Sequence, residues 1–326
     1  MSATSVAENR LDFDPQTLPW VDRDDFESQL QERLAAGRLD ENEASMLRDW
    51  RRDGYVVLPG KMDEELVSEL LADYERYWHE RPQVLRLLVQ DLGETRFPDV
   101  PPREELVHHH YRVQDIQDAS RAARHMMLHA RVVRALQLIF DDTPVAMQSL
   151  FFEYGSEQRT HQDFPYVQAQ ELSHLVGCWM ACDTVNDDNG PLFYYPGSHR
   201  LPKYDWGGRL VYKSEEDEVA KIDQFADHLE AEADSAGMER KIFHAERGDV
   251  FLWHGALAHG GSPVRDTTPT RRSLVVHYST RTGYPRDRRA AHLEPRPFKR
   301  NGGMLYQLPK PTFRSRLKQR LRRLLN

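Results

Sequence analysis

The sequence predicts a mainly β fold with flanking α-helices, a sandwich or barrel buttressed by helical segments. Two observations predict it. Helical segments come first, between residues 41 and 140, and from about residue 146 the chain turns to short runs rich in aromatic and β-branched residues, separated by glycine, proline and aspartate. A chain of 326 residues can bury a large core as one domain, and no internal repeat divides it. With 39% hydrophobic and 29% charged residues it belongs to neither the collagenous, the wholly disordered nor the membrane-spanning class.

Residues 1–40 are acidic and weakly periodic, which predicts a frayed or loosely packed leader. A helix is expected from Glu41 to Asp53, ended by Gly54, then a short strand at Tyr55–Leu58 stopped by Pro59 and Gly60. Asp63 is placed to cap a second helix through Trp78, in which Leu66, Leu70, Leu71, Tyr74 and Trp78 recur at helical spacing. A further helical region covers 119–140. Strand-like runs follow at 146–154, 159–167, 174–184, 191–196, 249–254 and 272–280. These elements make up one domain over 41–300.

Residues 204–243 interrupt the β region with an acidic insertion, helical between Ser214 and Arg240 and short of apolar anchors beyond Ile222, Phe225 and Leu229. Local helicity rather than core burial is expected to hold it, as in a lid that closes over a pocket. The tail at 301–326 ends in FRSRLKQRLRRLLN. There Leu317, Leu321, Leu324 and Leu325 share a helical face among six basic residues, suited to docking on the domain, on a partner or weakly on an anionic membrane surface.

Lysine and arginine number 44 against 52 aspartate and glutamate, so the formal charge of -8 argues against nucleic-acid binding. Cys178 and Cys182 lie four apart in a strand-like run, about 13 Å, beyond disulfide reach. There is no signal-like h-region, and the longest apolar run, Leu175–Cys182, is too short to span a bilayer. A cytoplasmic protein is expected.

The informative segment is Thr160-His161-Gln162-Asp163-Phe164. On a strand, His161 and Asp163 project from one face, so an imidazole nitrogen and a carboxylate oxygen converge on one point. A third ligand is offered by the segment Gly248–Ser262, where His259 follows a strand-like run and His254 lies inside it, a position equally suited to core packing. Two histidines and a carboxylate form the facial triad of non-haem iron(II) oxygenases, which leaves positions open for a co-substrate and O2; zinc accepts the same ligands. Twelve residues past His259, Arg271 and Arg272 open another strand. A guanidinium fork matches the distal carboxylate of 2-oxoglutarate, and alternation lets only one of the two point inward.

Together with Trp179, with Asn189-Gly190-Pro191-Leu192 leading to Pro196-Gly197-Ser198-His199, with HGGS before the RRSLVVHY strand, and with the early Asp53–Pro59 segment, this pattern resembles the phytanoyl-coenzyme A dioxygenase family over roughly residues 45–282. The resemblance implies a double-stranded β-helix, the jelly-roll or cupin-like architecture, that binds iron(II) and 2-oxoglutarate. It implies His161, Asp163 and His259 as iron ligands and Arg271 as the 2-oxoglutarate anchor, with Arg272 the alternative. Trp179, Gln162 and Ser262 are implied as further co-substrate contacts. An extra glycine between His259 and Ser262 departs from the family's usual HGS. The implied activity oxidises, typically by hydroxylation, an unactivated carbon of a small metabolite or natural product and releases succinate and CO2. The alternative is a non-catalytic cupin-like protein that binds a metal or small molecule. His108, His109 and His110 cannot converge on one metal and are expected in a solvated loop. Tyr111 and Arg112 are offered as pocket-lining residues, Phe164 and Tyr166 as either substrate-flanking or core-packing residues, and His199 as a structural turn residue.

Overall fold

A computed structural model describes residues 11–82, 84–89, 93–97, 99–106, 109–284 and 297–306. The helical half begins with α1 (Phe26–Ala35) and α2 (Glu41–Asp53). Asp40 accepts the Glu43 amide while the Glu43 carboxylate accepts the Asp40 amide, a capping box that starts α2 where the sequence places it. Gly54 ends the helix at φ 76°, a conformation glycine adopts without cost, and β1 (Tyr55–Val57) follows. Next come α3 (Glu64–Glu80), β2 (Arg86–Val89), β3 (Gly93–Arg96), the short α4 (Arg103–Leu106) and β4 (Tyr111–Gln114). The region expected at 119–140 is two helices, α5 (Arg121–Met127) and α6 (Ala130–Phe140), broken where Leu128 leaves helical geometry.

The β half comprises β5 (Pro144–Phe152), β6 (Val176–Ala181), β7 (Leu192–Tyr194), then α7 (Ala220–Ser235), β8 (Lys241–Phe243), β9 (Val250–His254), β10 (His259–Gly261), β11 (Ser273–Thr280), β12 (Pro297–Arg300) and β13 (Gly303–Tyr306). The large sheet runs β1-β9-β6-β11-β5-β4-β2-β3, with β13 joining β5 and β12 joining β13; the small sheet runs β10-β7-β8. All pairings are antiparallel except β13 on β5. The result is a mainly antiparallel, open jelly roll flanked by helices.

Alternation along the central strands divides the large sheet into two buried faces. Cys178, Met180, Val250, Leu252, Leu274, Val276 and Tyr278 point outward and merge with the buried faces of α2, α3, α5 and α6. Trp179, Ala181, Phe251, Trp253, Phe152 and Val275 point inward and meet Leu192 and Tyr194 of the small sheet, with Phe243 packed alongside. Burial on both faces explains why β11 is buried at every residue.

Four expectations need correction. Residues 13–39 are no loose leader: Trp20, Phe26, Leu30 and Leu39 are core residues, and the Trp20 indole donates to the Leu138 carbonyl at 2.8 Å. Nor is the insertion held mainly by local helicity, because Phe225 and Leu229 of α7 are buried against Trp206, Phe193 and Tyr195. The run 159–167 is not a strand; it makes a single bridge, His161 to His259, and then turns. Finally, β2, β3 and β4 escaped the sequence reading because each is only four residues long and gains its stability from pairing. Cys178 and Cys182 are buried free thiols. Among the described residues no helix is long and apolar enough to cross a membrane. The tail segment 307–326, with its basic amphipathic stretch, lies outside the described residues.

Candidate metal centre

His161, Asp163 and His259 each offer a ligand atom within 4.8 Å of the others, the single such group among the described residues. Backbone pairing brings the two histidines together: the His161 amide donates to the His259 carbonyl at 2.8 Å and the His259 amide to the His161 carbonyl at 3.0 Å, so the rings lie 4.4 Å apart. Each Nδ1 is then spoken for, that of His161 by the Arg159 carbonyl at 2.8 Å and that of His259 by the Leu257 carbonyl at 2.9 Å. A carbonyl only accepts, so both Nδ1 atoms carry the proton and both Nε2 lone pairs are free to bind a metal. These Nε2 atoms stand 3.8 Å from the two oxygens of Asp163.

Asp163 is held by the chain around it. Its amide donates to the Gly255 carbonyl at 2.9 Å, the Trp253 indole donates to Oδ2 at 2.8 Å, and His277 Nε2 stands 3.2 Å from that same oxygen. The Trp253 ring reaches this position because Gly177, its cross-strand partner, has no side chain; a Cβ there would overlap the indole. Burial by itself would raise the Asp163 pKa, but the adjacent His277, His259 and His161 outweigh it and hold the carboxyl well below the usual range. Burial, reinforced by His259, pushes His161 down to about 4. At neutral pH the trio is therefore one carboxylate with a neutral His161, the protonation that metal ligation requires.

The two arginines part company. Arg271 is buried, with its guanidinium carbon 5.1 Å from the Trp179 ring and Nη1 donating to Ser273 Oγ at 3.2 Å. Its Nε has no hydrogen-bond partner, it makes no ion pair among the described residues, and burial lowers its pKa to about 10. Arg272 turns the other way and pairs with Asp183 at 2.8 and 2.9 Å. Of the alternatives the sequence leaves open, Arg271 is the one facing inward.

Other candidates fall in several places. Trp179 lies buried beside Arg271, its indole nitrogen without a partner. Gln162 is buried, its Nε2 donating to the Ala256 carbonyl at 2.6 Å while Oε1 has no partner. Ser262 follows β10, with its amide on the Pro191 carbonyl and its hydroxyl 3.5 Å from Arg240. His254 faces away from the trio, accepting the Ala256 amide and standing 3.5 Å from Asp22. Phe164 and Tyr166 are packing residues rather than pocket walls, Phe164 against Phe13 and Tyr166 against Trp206 and Phe225. His199 is a buried residue seated against Gly54. His110 is exposed and pairs with Glu157, whereas His108 lies outside the described residues.

Sequence reasoning missed His277 and Trp253. Alternation from Arg271 through Ser273 and Val275 would have placed His277 on the inner face. Arg112 is cross-strand from Phe152, which pairs in turn with Ser273, so it shares the inward face that carries Arg271's partner. Burial lowers its pKa, it makes no ion pair among the described residues, and its charge is felt at His161.

A two-histidine, one-carboxylate set with open positions is the ligand arrangement of non-haem iron oxygenases, and on a jelly roll with an inward arginine that class uses 2-oxoglutarate. The family model for phytanoyl-CoA dioxygenase (PhyH) matches residues 50–273, and the chain belongs to that family. Among curated relatives, the peroxisomal phytanoyl-CoA dioxygenase of Rattus norvegicus is 22% identical over 74% of this chain and 70% of its own length. The Bos taurus enzyme is 22% identical over 71% of this chain and 66% of its own. Among solved structures, SnoK, a non-haem alpha-ketoglutarate-dependent carbocyclase from nogalamycin biosynthesis, superposes with a TM-score of 0.55 at 19% identity, covering 79% of this chain and 92% of that one. EctD from S. alaskensis, crystallised with bound Fe, gives 0.55 at 17% identity over 75% of this chain and 78% of that one. At these identities the structural likeness shows the fold.

Proposed function

We propose that the protein uses iron(II), 2-oxoglutarate and O2 to hydroxylate, or otherwise oxidise, an unactivated carbon of a small metabolite or natural product. The observations that carry this reading are a trio of free metal-ligating atoms and, on the same inward face of the large sheet as Trp179 and Val275, the buried Arg271, a cation without a carboxylate partner among the described residues. A desolvated guanidinium needs an anion. Arg112 is a second cation of the same kind, and the pair suits a dianion better than a monoanion. In this reading His161, Asp163 and His259 hold the metal. Arg271 takes the distal carboxylate of 2-oxoglutarate as a bidentate fork, with Trp179, Gln162 and Ser262 as further contacts. Bound there, iron(II) and 2-oxoglutarate supply the oxidation of a C–H bond by O2, with succinate and CO2 as co-products. The protein's part is ligation, orientation and exclusion of water, the last served by Trp179, Phe243, Phe251 and Trp253, which close the inner face with ring separations of 5.0 to 6.0 Å.

We propose further that residues 204–243 cover the substrate. Arg159 and Thr160, which lead directly into His161, are tied to α7 through Asp223, Asp227 and Glu230. The experiment is a screen of metabolites for substrate-dependent succinate formation, run in parallel on Arg271→Lys. A lysine offers a point charge in place of a fork, so the 2-oxoglutarate KM should rise strongly, on the order of the 2–5 kcal/mol measured when a buried charged pair loses one partner. An unchanged KM in Arg271→Lys, with Arg272→Lys impaired instead, would refute the assignment; metal and 2-oxoglutarate binding without turnover of any metabolite would favour a binding protein.

A further inference from the structure

Adjacent arginines on a strand present a register problem, because a shift of one residue exchanges the side chain that faces inward. The segment Thr270–Arg272 lies just before β11 begins at Ser273, at the end of the ladder whose alternation puts Arg271 on the face of Ser273 and Val275, so whatever holds this end keeps the Arg271 guanidinium inward. The side chain that holds this end is Asp183, which follows β6. Its Oδ2 accepts the Arg272 amide at 2.9 Å, Arg272 Nε at 2.8 Å and the Thr270 hydroxyl at 2.7 Å, while Oδ1 accepts Arg272 Nη2 at 2.9 Å. The amides of Cys182 and Asp183 return hydrogen bonds to the Arg272 carbonyl at 2.8 and 3.2 Å. On the far side the Arg271 amide is held by the Glu153 carbonyl at 2.8 Å.

No other acid is as well placed to hold Arg272. Glu75 stands 3.8 Å from its Nη1 but is already engaged by Arg103 at 2.6 and 3.0 Å, and Arg103 also pairs with the buried Glu153. We propose that Asp183 is a positioning residue for the co-substrate: by clamping Arg272 and its backbone outward it holds the strand end in the register that turns Arg271 into the site. The proposal rests on the reading that Arg271 receives the 2-oxoglutarate carboxylate. Asp183 touches neither co-substrate nor metal, so its effect should appear in 2-oxoglutarate affinity and leave kcat at saturating co-substrate near the wild-type value.

The test measures 2-oxoglutarate dissociation constants calorimetrically on manganese(II)-loaded protein, together with the thermal unfolding midpoint, for wild type, Asp183→Asn, Asp183→Glu, Arg272→Gln and Arg271→Gln. Asp183→Asn should weaken 2-oxoglutarate binding at least about tenfold, since displacement of a positioned group by an ångström is that costly, and Asp183→Glu should recover part of the loss. Arg272→Gln keeps the acid and the backbone bond but removes two of the clamp's four hydrogen bonds, so its loss should be smaller, about threefold. It also keeps the proposal testable if Asp183→Asn fails to fold. A lowered unfolding midpoint with unchanged affinity in Asp183→Asn, or unchanged affinity in Arg272→Gln, would make the clamp purely structural and overturn the proposal. If Arg271→Gln itself binds 2-oxoglutarate normally, the reading of Arg271 fails, which is a separate result from failure of the clamp.

Discussion

The two faces of the large sheet are built from the same strands, yet they are different materials. On β11, Leu274, Val276 and Tyr278 face the helices in an apolar layer, whereas Ser273, Val275 and His277 face inward beside Arg271. The outer layer is closed chiefly by packing, with the Tyr278 hydroxyl donating to the Met127 carbonyl at 2.6 Å. The inner layer also holds a buried cation: Arg271 makes no ion pair among the described residues, and its Nε, like Trp179 Nε1, has no hydrogen-bond partner. Neutral donors without partners occur behind the outer face too, at Trp50 and Tyr77, but a buried guanidinium without an anion costs far more, so the inner face is shaped for something other than stability. Substitutions on one face should therefore change stability and on the other affinity and turnover.

The sharpest way to break that contrast is at the ligands. Alanine at His161, Asp163 or His259 should abolish substrate-dependent succinate formation and weaken iron binding by more than the roughly 10- to 100-fold that loss of a ligand's hydrogen-bonding neighbour costs. The unfolding midpoint of the metal-free protein should stay close to wild type. If His259→Ala keeps wild-type metal affinity while His254→Ala loses it, the distal ligand has been misassigned. Next comes Trp253→Phe, which keeps the ring and deletes the indole donor to Asp163. Metal affinity measured by competition with a chelator should fall about 10- to 100-fold.

On the outer face the expected sign is reversed. Leu274→Ala, one residue from Ser273, removes a fully buried side chain and should cost about 2–5 kcal/mol of folding stability by denaturant titration, with the 2-oxoglutarate KM of the folded fraction unchanged. A shifted KM would show that the two faces are coupled through the strand. The smallest effect belongs to the rim. Asp223→Asn with Asp227→Asn frees Arg159 from two exposed pairs at a cost of about 0–1 kcal/mol in stability, too little to unfold α7, whose Phe225 and Leu229 anchor it in the core. If α7 shields the substrate, succinate formation should rise relative to product formation; unchanged coupling would leave α7 as a packed insertion only.

Much of this was legible in the residues. The helix expected over Glu41–Asp53 is α2 to the residue, because its stop at Gly54 is a local signal. The pairing of His161 with Asp163 was inferred from strand alternation, and the two do converge, but by a different route: one bridge to His259 followed by a turn. The insertion was misread because Phe225 and Leu229 look sparse in sequence, and their partners Phe193, Tyr195 and Trp206 come from segments folded onto them.

By itself, then, the sequence determined the ligand types, their spacing and the arginine pair that follows them in the chain, since these depend on residue chemistry and on periodicities that local backbone geometry imposes. Which arginine enters the site, which groups orient Asp163 and what holds the insertion were decided only by the tertiary structure. Asp183 is 89 residues from Arg272 and Trp253 is 90 from Asp163, and contacts over such separations exist only after the sheets have paired in register.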